Sequence, residues 1–523
     1  MCALPYRIGD PYKIQGKRIV FTNWYFVQQG SFGWYDSEGR NVTVRGDQNP
    51  FEATFKSYNY PWGIKIRVNE ASKFGPVIKT EEEWEAGGPG LGTIIKEDGI
   101  YKLWGVTGWG SSLPSKGINY LAYYESNDGY NWKRPNLGMV EFNGSRNNNL
   151  IPGPKFAGTV FIDPTSDDER YKMVSEAVYT LEEYRDYLEN APGCRAVEPA
   201  AIRDNRVFGM QGAVSPDGIQ WETLPYPLVI ALSDTQVVGY YDTFLKKYVI
   251  YSRDWVAGPQ AGEYSNDEYY GRWGLVGRRA INRVETDDFR SLPLPELIIE
   301  PDPSMQPYEV LYTNCRTTIP GAPDHHVMFP TVWVMTGGDY TYVIMYSSHN
   351  GKLWNRISNG PVLRTGIFGS WDGGCIFASP NLIELPGGDF ALPYTGWSVP
   401  HKYPRVNATR SIGYAIWPKG RLSSLAADEY GEFTTTAIVV PGERLFINAV
   451  TERTGYIAIE ACDISGTPIN GREFENSIPI FGDCYRQLVT WKGHDNLGIR
   501  KGEAVILRFK MHKASIYSLD FES

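Results

Sequence analysis

The sequence predicts an all-β protein, a five-bladed β-propeller followed by a C-terminal β-sandwich. Three observations predict it: strand patterns dominate, a short turn motif recurs, and the motif stops before the C-terminal part. Runs such as RYKMVSEAV and YTYVIMYSS are rich in β-branched and aromatic residues and are bounded by Gly, Pro, Asn and Asp. One convincing helical pattern, at 180–191, is interpreted as an insertion.

The turn motif is Ser-x-Asp/Asn-Gly-x-x-Trp, and it occurs three times. Its copies run from Ser126 to Trp132, from Ser215 to Trp221 and from Ser348 to Trp354. Each copy follows one predicted strand and leads into another, which is typical of a hairpin whose Gly takes a positive φ. We therefore interpret the motif as structural and use it to count repeats.

A second predicted hairpin precedes each turn, so each repeat has four strands. Five such repeats lie between 85 and 432, and four-stranded repeats arranged radially form a propeller. We expect residues 1–84 to supply N-terminal strands that close the propeller, from 51–59 or from 16–26; the sequence leaves this choice open. The pattern changes after residue 432, and residues 433–523 are predicted to form a separate β-sandwich.

The amino-acid composition narrows the range of possible functions. The chain has 523 residues, 42% of them hydrophobic and 21% charged, which predicts a globular protein of at least two domains. Its net charge is −9 without a basic block, which argues against nucleic acid and anionic membrane surfaces as partners. Aromatic residues make up 14% of the chain, and such side chains both pack in sheets and stack on sugar rings.

Localisation and cofactors follow from what the sequence lacks. The N-terminus has no apolar signal region, and no stretch reaches the roughly 18 apolar residues of a membrane span, so we expect a cytoplasmic protein. Six dispersed cysteines without a CxxC pair predict reduced thiols. We expect no metal and no cofactor, and the sequence leaves open whether the protein forms a homo-oligomer.

The five repeats, the turns and the appended sandwich resemble the five-bladed glycoside hydrolases, the invertase-like family 32 and the arabinanase-like family 43. As architecture, the resemblance covers nearly the whole chain. The invertase signature Trp-Met-Asn-Asp-Pro-Asn-Gly is absent, and Trp255 follows Arg253-Asp254 where that family has Pro. A branch of bacterial proteins is more similar, sharing the phrase at 133–149 without implying an activity. The resemblance implies the fold and a carbohydrate substrate.

Propeller geometry predicts where the site lies. Each innermost strand starts on the ligand-binding face, and each second strand ends there. The residues at the starts of the innermost strands are Glu85, Phe156, Asp234, Glu309 and Asp372. The residues near the ends of the second strands are Trp109, Glu176, Arg253, Asp254, Thr331 and Trp397.

Acids confined to one channel raise the pKa of at least one of them, and glycoside hydrolysis needs one protonated and one ionised carboxyl. Asp372 is the strongest catalytic candidate, because the small residues at 369–374 let a ligand approach the backbone. Glu85 has a similar setting and comes second. Glu176 and Asp234 compete for the acid role, and Glu309 completes the catalytic set. The alternative is that these acids cap backbone N–H groups or bind a structural cation.

Other residues of the predicted funnel would bind substrate. Arg253 would hold a hydroxyl or a carboxylate or tune a neighbouring acid, and Asp254 lies beside it. Trp84 and Trp397, the latter followed by His401, would stack on sugar rings. Asp324-His325-His326 and Asp163-Pro164 fall at hairpins on the opposite face, so we interpret both as structural.

These observations lead to a glycoside hydrolase as the first hypothesis. It would act from a chain end, furanosides included, because a five-bladed funnel closes around an end. A non-catalytic glycan-binding propeller is the alternative, and it predicts funnel carboxylates that lie far apart or are neutralised by Arg and Lys. A sugar lyase or phosphorylase is a third hypothesis. A phosphorylase needs several basic residues in the funnel, and only Arg253 is evident there.

Overall fold

The structure is a computed structural model that describes residues 9–43, 52–108, 120–153, 158–203, 205–233, 235–256, 277–404 and 408–523. This part of the chain is nearly all-β, as predicted, and contains one α-helix, Leu181–Asn190. Thr180 caps that helix: its hydroxyl accepts from the Glu183 N–H at 3.1 Å, while Glu183 reaches back to the Thr180 N–H. Short 3-10 turns cover Glu83–Glu85, Pro199–Ala201 and Pro418–Gly420. No helix of the described residues is both long and apolar enough to cross a membrane.

The chain divides into two compact units. The first contains residues 1–69, 319–325 and 419–523, and the second contains residues 70–318 and 326–418. The predicted domain limits, 84/85 and 432/433, stay predictions.

The described residues between 72 and 417 form six antiparallel sheets; because two of them alternate along residues 309–364, we number these two together as the fourth sheet, which gives five in chain order. The first sheet comprises Gly90–Glu97, Ile100–Thr107, Tyr120–Ser126 and Leu150–Ile151. The second comprises Thr159–Ile162, Tyr171–Tyr179 and Arg206–Ser215, with Ile202–Arg203 and Glu222–Thr223 beside the last of these. The third comprises Val238–Asp242, Lys247–Val256, Arg278–Thr286 and Glu296–Ile299.

The fourth and fifth sheets complete the series. The fourth consists of two ladders, Glu309–Leu311 with Thr331–Val334, Tyr340–Val343 and Leu363–Arg364, and Arg316–Ile319 with Ala322–Met328, Tyr346–Ser348 and Asn355–Arg356. The fifth comprises Cys375–Ala378, Phe390–Trp397, Arg410–Trp417 and Ser72–Ile78, with Ile383–Glu384 beside the second of these.

Hydrogen bonds link each of these sheets to the next one along the chain, and the fifth to the first. The Val160 N–H donates to Thr93 Oγ1 at 3.2 Å between the first and second sheets. The links that follow are Thr159 Oγ1 to the Val237 carbonyl at 2.6 Å, the Cys315 N–H to Gln236 Oε1 at 2.7 Å, Thr341 Oγ1 to the Ile376 carbonyl at 2.7 Å and the Ile94 N–H to the Pro380 carbonyl at 3.1 Å. The last of these returns to the first sheet.

The strand that completes the fifth sheet is Ser72–Ile78, and neither segment that we expected in this role, 16–26 or 51–59, takes it. Gly75 and Pro76 interrupt the strand pattern here, which is why the sequence did not indicate it. Proline is tolerated on an edge strand because its missing N–H faces away from the ladder. The register shifts between Ile412 and Tyr414 at this place, as an irregular edge strand requires.

The predicted turns are confirmed, and they also connect neighbouring sheets. In the second copy, Ser215 Oγ accepts from the Gly218 N–H at 2.8 Å and Trp221 Nε1 donates to the Gly218 carbonyl at 2.9 Å, with a φ of 78° at Gly218. The same carbonyl accepts from Trp104 Nε1, on the first sheet, at 2.5 Å. The carbonyls of Gly129 and Gly351 accept in the same way from the hydroxyls of Tyr414 and Tyr251.

The first unit is built on an eight-stranded sheet. Its long strands, Arg444–Cys462 and Ala504–Glu522, pair antiparallel, and Phe433 stacks on Phe509 with ring centroids 4.4 Å apart. The other strands of this sheet are Tyr12–Lys13, Arg18–Val20, Lys65–Val68, Ser423–Thr434, Ile438–Val439 and Asp483–Leu488. A separate hairpin pairs Ser31–Tyr35 with Thr54–Tyr58. Much of the N-terminal segment therefore pairs with strands beyond residue 418; the sandwich at 433–523 stays a prediction.

Candidate functional site

Glu85, predicted to be catalytic, is fully buried and held by five donors. Its carboxylate accepts from Arg134 Nε at 2.7 Å and Nη2 at 3.1 Å, and from the Tyr124 hydroxyl at 2.7 Å. The backbone N–H groups of Glu81 and Glu82 add bonds of 2.9 and 3.2 Å. With this many donors the Glu85 side chain caps the Glu83–Glu85 turn and pairs with Arg134, an arrangement that serves structure.

Asp372 is 3% exposed and is also paired. Its Oδ2 lies 2.6 Å from Lys73 Nζ and accepts from the Tyr394 hydroxyl at 3.0 Å, while Oδ1 accepts from Ser370 Oγ at 2.9 Å. Burial, and then the Asp372 carboxylate, raises the pKa of Tyr394, so the phenol stays protonated and donates. Lys73 belongs to the strand that completes the fifth sheet.

Two other predicted acids, Glu309 and Glu176, lie on strands of the fourth and second sheets. Glu309 accepts from the Tyr342 hydroxyl at 2.8 Å and from the Gln306 N–H at 2.8 Å, and it caps the start of its own strand. Glu176 lies on the second strand of the second sheet, half-buried and opposite Met210. Asp234 lies outside the described residues.

A pair of acids lies instead between the second and third sheets. Glu198 follows the inserted helix, in the connection between the second and third strands of the second sheet. Its Oε2 accepts from the Leu232 N–H at 2.8 Å, and the Leu232 carbonyl accepts from Arg253 Nη2 at 3.1 Å. Asp254, next to Arg253, lies near the end of the second strand of the third sheet. The backbone of Leu232 thus bonds to Glu198 through its N–H and to Arg253, the neighbour of Asp254, through its carbonyl.

The environment raises the pKa of both acids. Burial raises the pKa of Glu198 above its ordinary 4.5, and the nearby Asp254 charge raises it further, against the Leu232 N–H and Arg253. Burial also raises the pKa of Asp254 above its ordinary 3.8, although the Trp255 N–H, Arg253 and Asn282 oppose it. One protonated and one ionised carboxyl can therefore coexist here.

Aromatic rings and arginines alternate beside this pair. Arg253 Cζ and Arg279 Cζ lie 5.2 and 5.3 Å from the centre of the Trp255 ring, and Arg279 Cζ lies 4.4 Å from the centre of the Tyr312 ring. Arg253 and Arg279 are 3% and 8% exposed. Such contacts keep guanidinium groups charged in a buried place. The structure thus brings together the predicted Arg253 and Asp254 and adds a second arginine on the neighbouring strand.

Two predicted substrate-binding residues are buried in protein contacts. His401 is 2% exposed and has the Tyr312 and Trp333 rings 4.8 and 5.0 Å away. Trp397 is also 2% exposed, with Arg410 Cζ 4.4 Å from its ring centre. Both side chains therefore pack in the protein interior.

Trp84 and the Asp-His sequence also make structural contacts. Trp84 Nε1 donates to Asn149 Oδ1 at 2.8 Å. His325 uses both ring nitrogens, with Nδ1 3.0 Å from Asp324 Oδ1 and Nε2 3.3 Å from the Val20 N–H, so neither is available to a ligand. No group of three or more His, Cys, Asp or Glu in the described ranges is arranged to hold a metal ion.

Glu198 is the residue that the sequence reasoning missed. The signal was present, because the helical insertion at 180–191 falls between the second and third strands of its sheet. A connection at that position opens on the same face as the end of the second strand. Acids in an insertion of this kind are therefore candidates, although no repeat position marks them.

Comparisons with known proteins give a likeness to solved structures. No protein-family model and no curated protein matches the chain. A thermostable family-43 glycoside hydrolase matches at 14% identity and a TM-score of 0.37, over 64% of this chain and 92% of that one. A GH32 β-fructofuranosidase of Bombyx mori matches at 11% and 0.39, over 87% and 94%. A β-1,2-mannobiose phosphorylase of Listeria innocua matches at 11% and 0.42, over 68% and 98%. Families 43 and 32 are the two that the sequence resembles.

Proposed function

We propose that the protein is a carbohydrate-active enzyme whose second unit is a five-bladed propeller. The closed ring of hydrogen bonds among five successive sheets supports this fold. More narrowly, it is a glycoside hydrolase that acts on an oligosaccharide or polysaccharide chain end, furanosides included. The C-terminal part then forms the predicted sandwich.

One observation carries this proposal: Glu198 and Asp254 are two acids with raised pKa values, the Asp254 charge acts on Glu198, and Leu232 bonds to both Glu198 and Arg253. Raised carboxyl pKa values cluster at catalytic sites, because burial there is arranged to keep a proton available near neutral pH. Glu85 and Asp372, in contrast, are neutralised by Arg134 and Lys73.

The two acids take different roles. The Trp255 N–H, Arg253 and Asn282 all favour the ionised form of Asp254, so Asp254 is the nucleophile or base. The Asp254 charge favours the protonated form of Glu198, so Glu198 donates its proton to the leaving oxygen. Arg253 orients both, through Leu232 and through its charge.

A second candidate function is a non-catalytic glycan-binding propeller. It is favoured by a specific observation, because two of the predicted funnel acids, Glu85 and Asp372, are neutralised by Arg134 and Lys73, as that hypothesis requires. The two functions differ in what Glu198 and Asp254 do.

The test is hydrolysis of aryl glycosides and of plant or algal oligosaccharides, furanosides included, by wild type, Glu198→Gln, Asp254→Asn and Asp372→Asn. We expect turnover of at least one substrate. On an oligosaccharide, Glu198→Gln and Asp254→Asn should lose about 10²–10⁴-fold in rate, and the folded Asp372→Asn protein should keep near wild-type rates. A glycan array with the same four proteins separates the alternatives. Binding by wild type without turnover of any substrate identifies the glycan-binding propeller.

A further inference from the structure

A hairpin of the first unit exposes three aromatic rings on one face. Its strands, Ser31–Tyr35 and Thr54–Tyr58, form a separate two-stranded sheet in which Trp34 lies opposite Phe55. Phe32 is two residues from Trp34 and therefore lies on the same face. The Phe55 ring centre is 5.8 Å from that of Phe32 and 5.4 Å from that of Trp34. Phe32, Trp34 and Phe55 are 73%, 47% and 48% exposed, so the three rings form one contiguous surface toward solvent.

The exposed hydrophobic side chains of this part of the chain are all aromatic. Among the described residues of 9–69, the large hydrophobic side chains that are exposed are those of Trp24, Tyr25, Phe32, Trp34, Phe55, Tyr58, Tyr60 and Trp62. Residues 9–69 contain no Leu and no Met, whereas the exposed set further along the chain includes Leu353, Ile367 and Ile464. Interfaces between proteins add Met to aromatic rings. Rings without aliphatic neighbours instead suit the apolar C–H faces of sugars.

A cleft of about 510 Å³ opens at the base of the hairpin. The described residues that line it are Val27, Gln28, Gln29, Gly30, Ser31, Asn59 and Thr436. Ser31 pairs with Tyr58 at the end of the hairpin, so the cleft begins one residue pair from Phe32. The lining amides and hydroxyls both donate and accept hydrogen bonds, as sugar hydroxyls do, and none of these lining residues is ionisable. A charged ligand would lose its hydration there without gaining a counter-charge, so the cleft favours a neutral one.

Backbone contacts hold the cleft in shape. The Gln28 N–H donates to the Thr434 carbonyl at 2.8 Å, and Gln28 Nε2 donates to the Thr435 carbonyl at 2.9 Å, which fixes the position of the amide. Gly30 has a φ of 81°, and a Cβ there would lie 2.6 Å from the Tyr58 carbonyl oxygen. The segment before the first strand therefore packs directly against the end of the second. A site that is formed before the ligand arrives loses less entropy on binding.

We propose that the aromatic face of the hairpin and the cleft at its base form a binding site for a neutral oligosaccharide or polysaccharide. The rings of Phe32, Trp34 and Phe55 stack on sugar rings, and the amides of the cleft, Gln29 among them, bind sugar hydroxyls. The site belongs to the first unit, whereas Glu198 and Asp254 belong to the second. It is therefore a carbohydrate site separate from the proposed catalytic pair, and it stands whether or not that pair is catalytic.

Native electrophoresis of the full chain tests the proposal, in gels that contain linear arabinan, levan, galactomannan or mixed-linkage glucan, which are uncharged. We expect at least one of them to retard wild type, and Trp34→Ala and Gln29→Ala to bind it about tenfold more weakly. Phe481→Ala is the matched control, because that ring is 61% exposed in the same unit but belongs to neither the hairpin nor the cleft. It should be retarded like wild type. Phe32→Ala, which changes the most exposed ring of the face, takes the place of Trp34→Ala if that variant fails to fold.

The same gels separate this site from the proposed catalytic pair, because retardation should persist in Glu198→Gln and in Asp254→Asn. Retardation that is lost in those two variants but kept in Trp34→Ala would overturn the hairpin site and leave the catalytic proposal intact. Failure of all four neutral polysaccharides to retard wild type would also overturn it, as would retardation by polygalacturonate that Trp34→Ala abolishes. Light scattering measures the mass in solution: a wild-type dimer that Trp34→Ala converts to a monomer would assign the aromatic face to a second copy of the chain instead.

Discussion

Lys73 Nζ lies 2.6 Å from the Oδ2 atom of Asp372, which joins the strand that completes the fifth sheet to the loop before that sheet's first strand. The Asp372 side chain is 5% exposed, and that of Lys73 is 32% exposed. The carboxylate of the strongest catalytic candidate of the sequence is therefore already paired with a cation of the chain.

Asp372→Asn is therefore predicted to lower stability and to spare activity. Removal of the charge leaves Lys73 beside a neutral amide in a largely buried place, at a cost of about 1–3 kcal/mol in the free energy of unfolding. Urea unfolding measures this cost, and kcat/KM on the best substrate of the panel is measured below the transition. If Asp372→Asn lost activity while its free energy of unfolding stayed unchanged, Asp372 would be a catalytic residue.

Glu85→Gln is predicted to be among the more destabilising polar substitutions, because Arg134 would lose its buried partner. The expected cost is about 3–5 kcal/mol. Glu81→Gln is the matched control, since Glu81 also contacts Arg134, at 2.7 Å, but its side chain is 51% exposed. We expect Glu81→Gln to cost less than about 1 kcal/mol. Equal costs for the two variants by urea unfolding would show that burial of Glu85 is not what matters.

The sequence was sufficient for the repeats and their turns, because these depend on local chemistry. A Ser, an Asp or Asn and a Gly within four residues determine the hydrogen bonds of the turn wherever the chain places it. The same local pattern marked strand starts well enough to select Glu85 and Asp372. It could not reveal their partners: Lys73 and Asp372 are 299 residues apart, and their meeting depends on how the ring closes.

The strand Ser72–Ile78 and the residue Glu198 could not be predicted from the sequence. The strand contains Gly75 and Pro76, which local rules take as breakers, and pairing with the fifth sheet overrides them. Glu198 belongs to an insertion rather than to a repeat, so counting repeats passes over it. Arg253 and Asp254, in contrast, were selected from the end of a second strand, where the structure does bring acids and arginines together.

Gly218→Ala is predicted to be more destabilising than Gly144→Ala. Both glycines have a φ of 78°, so both substitutions cost about 1–2 kcal/mol for the left-handed conformation. A Cβ at Gly218 would also lie 2.7 Å from Trp104 Cζ2, whereas one at Gly144 would meet nothing within 4 Å. Overpacking against the rigid indole adds about 1–3 kcal/mol. Urea unfolding of the two variants measures the difference. Equal losses in the free energy of unfolding would show that the contact between the turn and Trp104 does not matter for stability.

The raised pKa of Glu198 predicts an unusual pH dependence of stability. The folded state binds the Glu198 proton more tightly than the unfolded chain does, so stability rises as pH falls from neutral through the raised pKa and levels off below the ordinary 4.5. Glu198→Gln, unfolded in urea at pH 7 and pH 5, is expected to lack this gain.

Asp302→Asn is the control: the pH-dependent contribution of Asp302 to stability has the opposite sign and changes only below its ordinary pKa of 3.8, so this variant keeps the wild-type gain between pH 7 and pH 5. Although burial opposes it, hydrogen bonds from Ser304 and Arg356 lower the pKa of Asp302, so the wild-type carboxylate loses its stabilising effect as pH falls through that lowered value. If the free energy of unfolding of Glu198→Gln depended on pH as that of wild type does, Glu198 would not be the group that binds the proton.

The most direct test of the central claim compares leaving groups. A general acid matters most when the leaving oxygen is basic, so Glu198→Gln is predicted to lose about 10²–10⁴-fold in kcat/KM on an oligosaccharide. It should lose far less on an aryl glycoside of an acidic phenol, while Asp254→Asn loses activity on both. Equal losses of Glu198→Gln on both substrates, or none on either, would contradict the assignment of Glu198 as the proton donor.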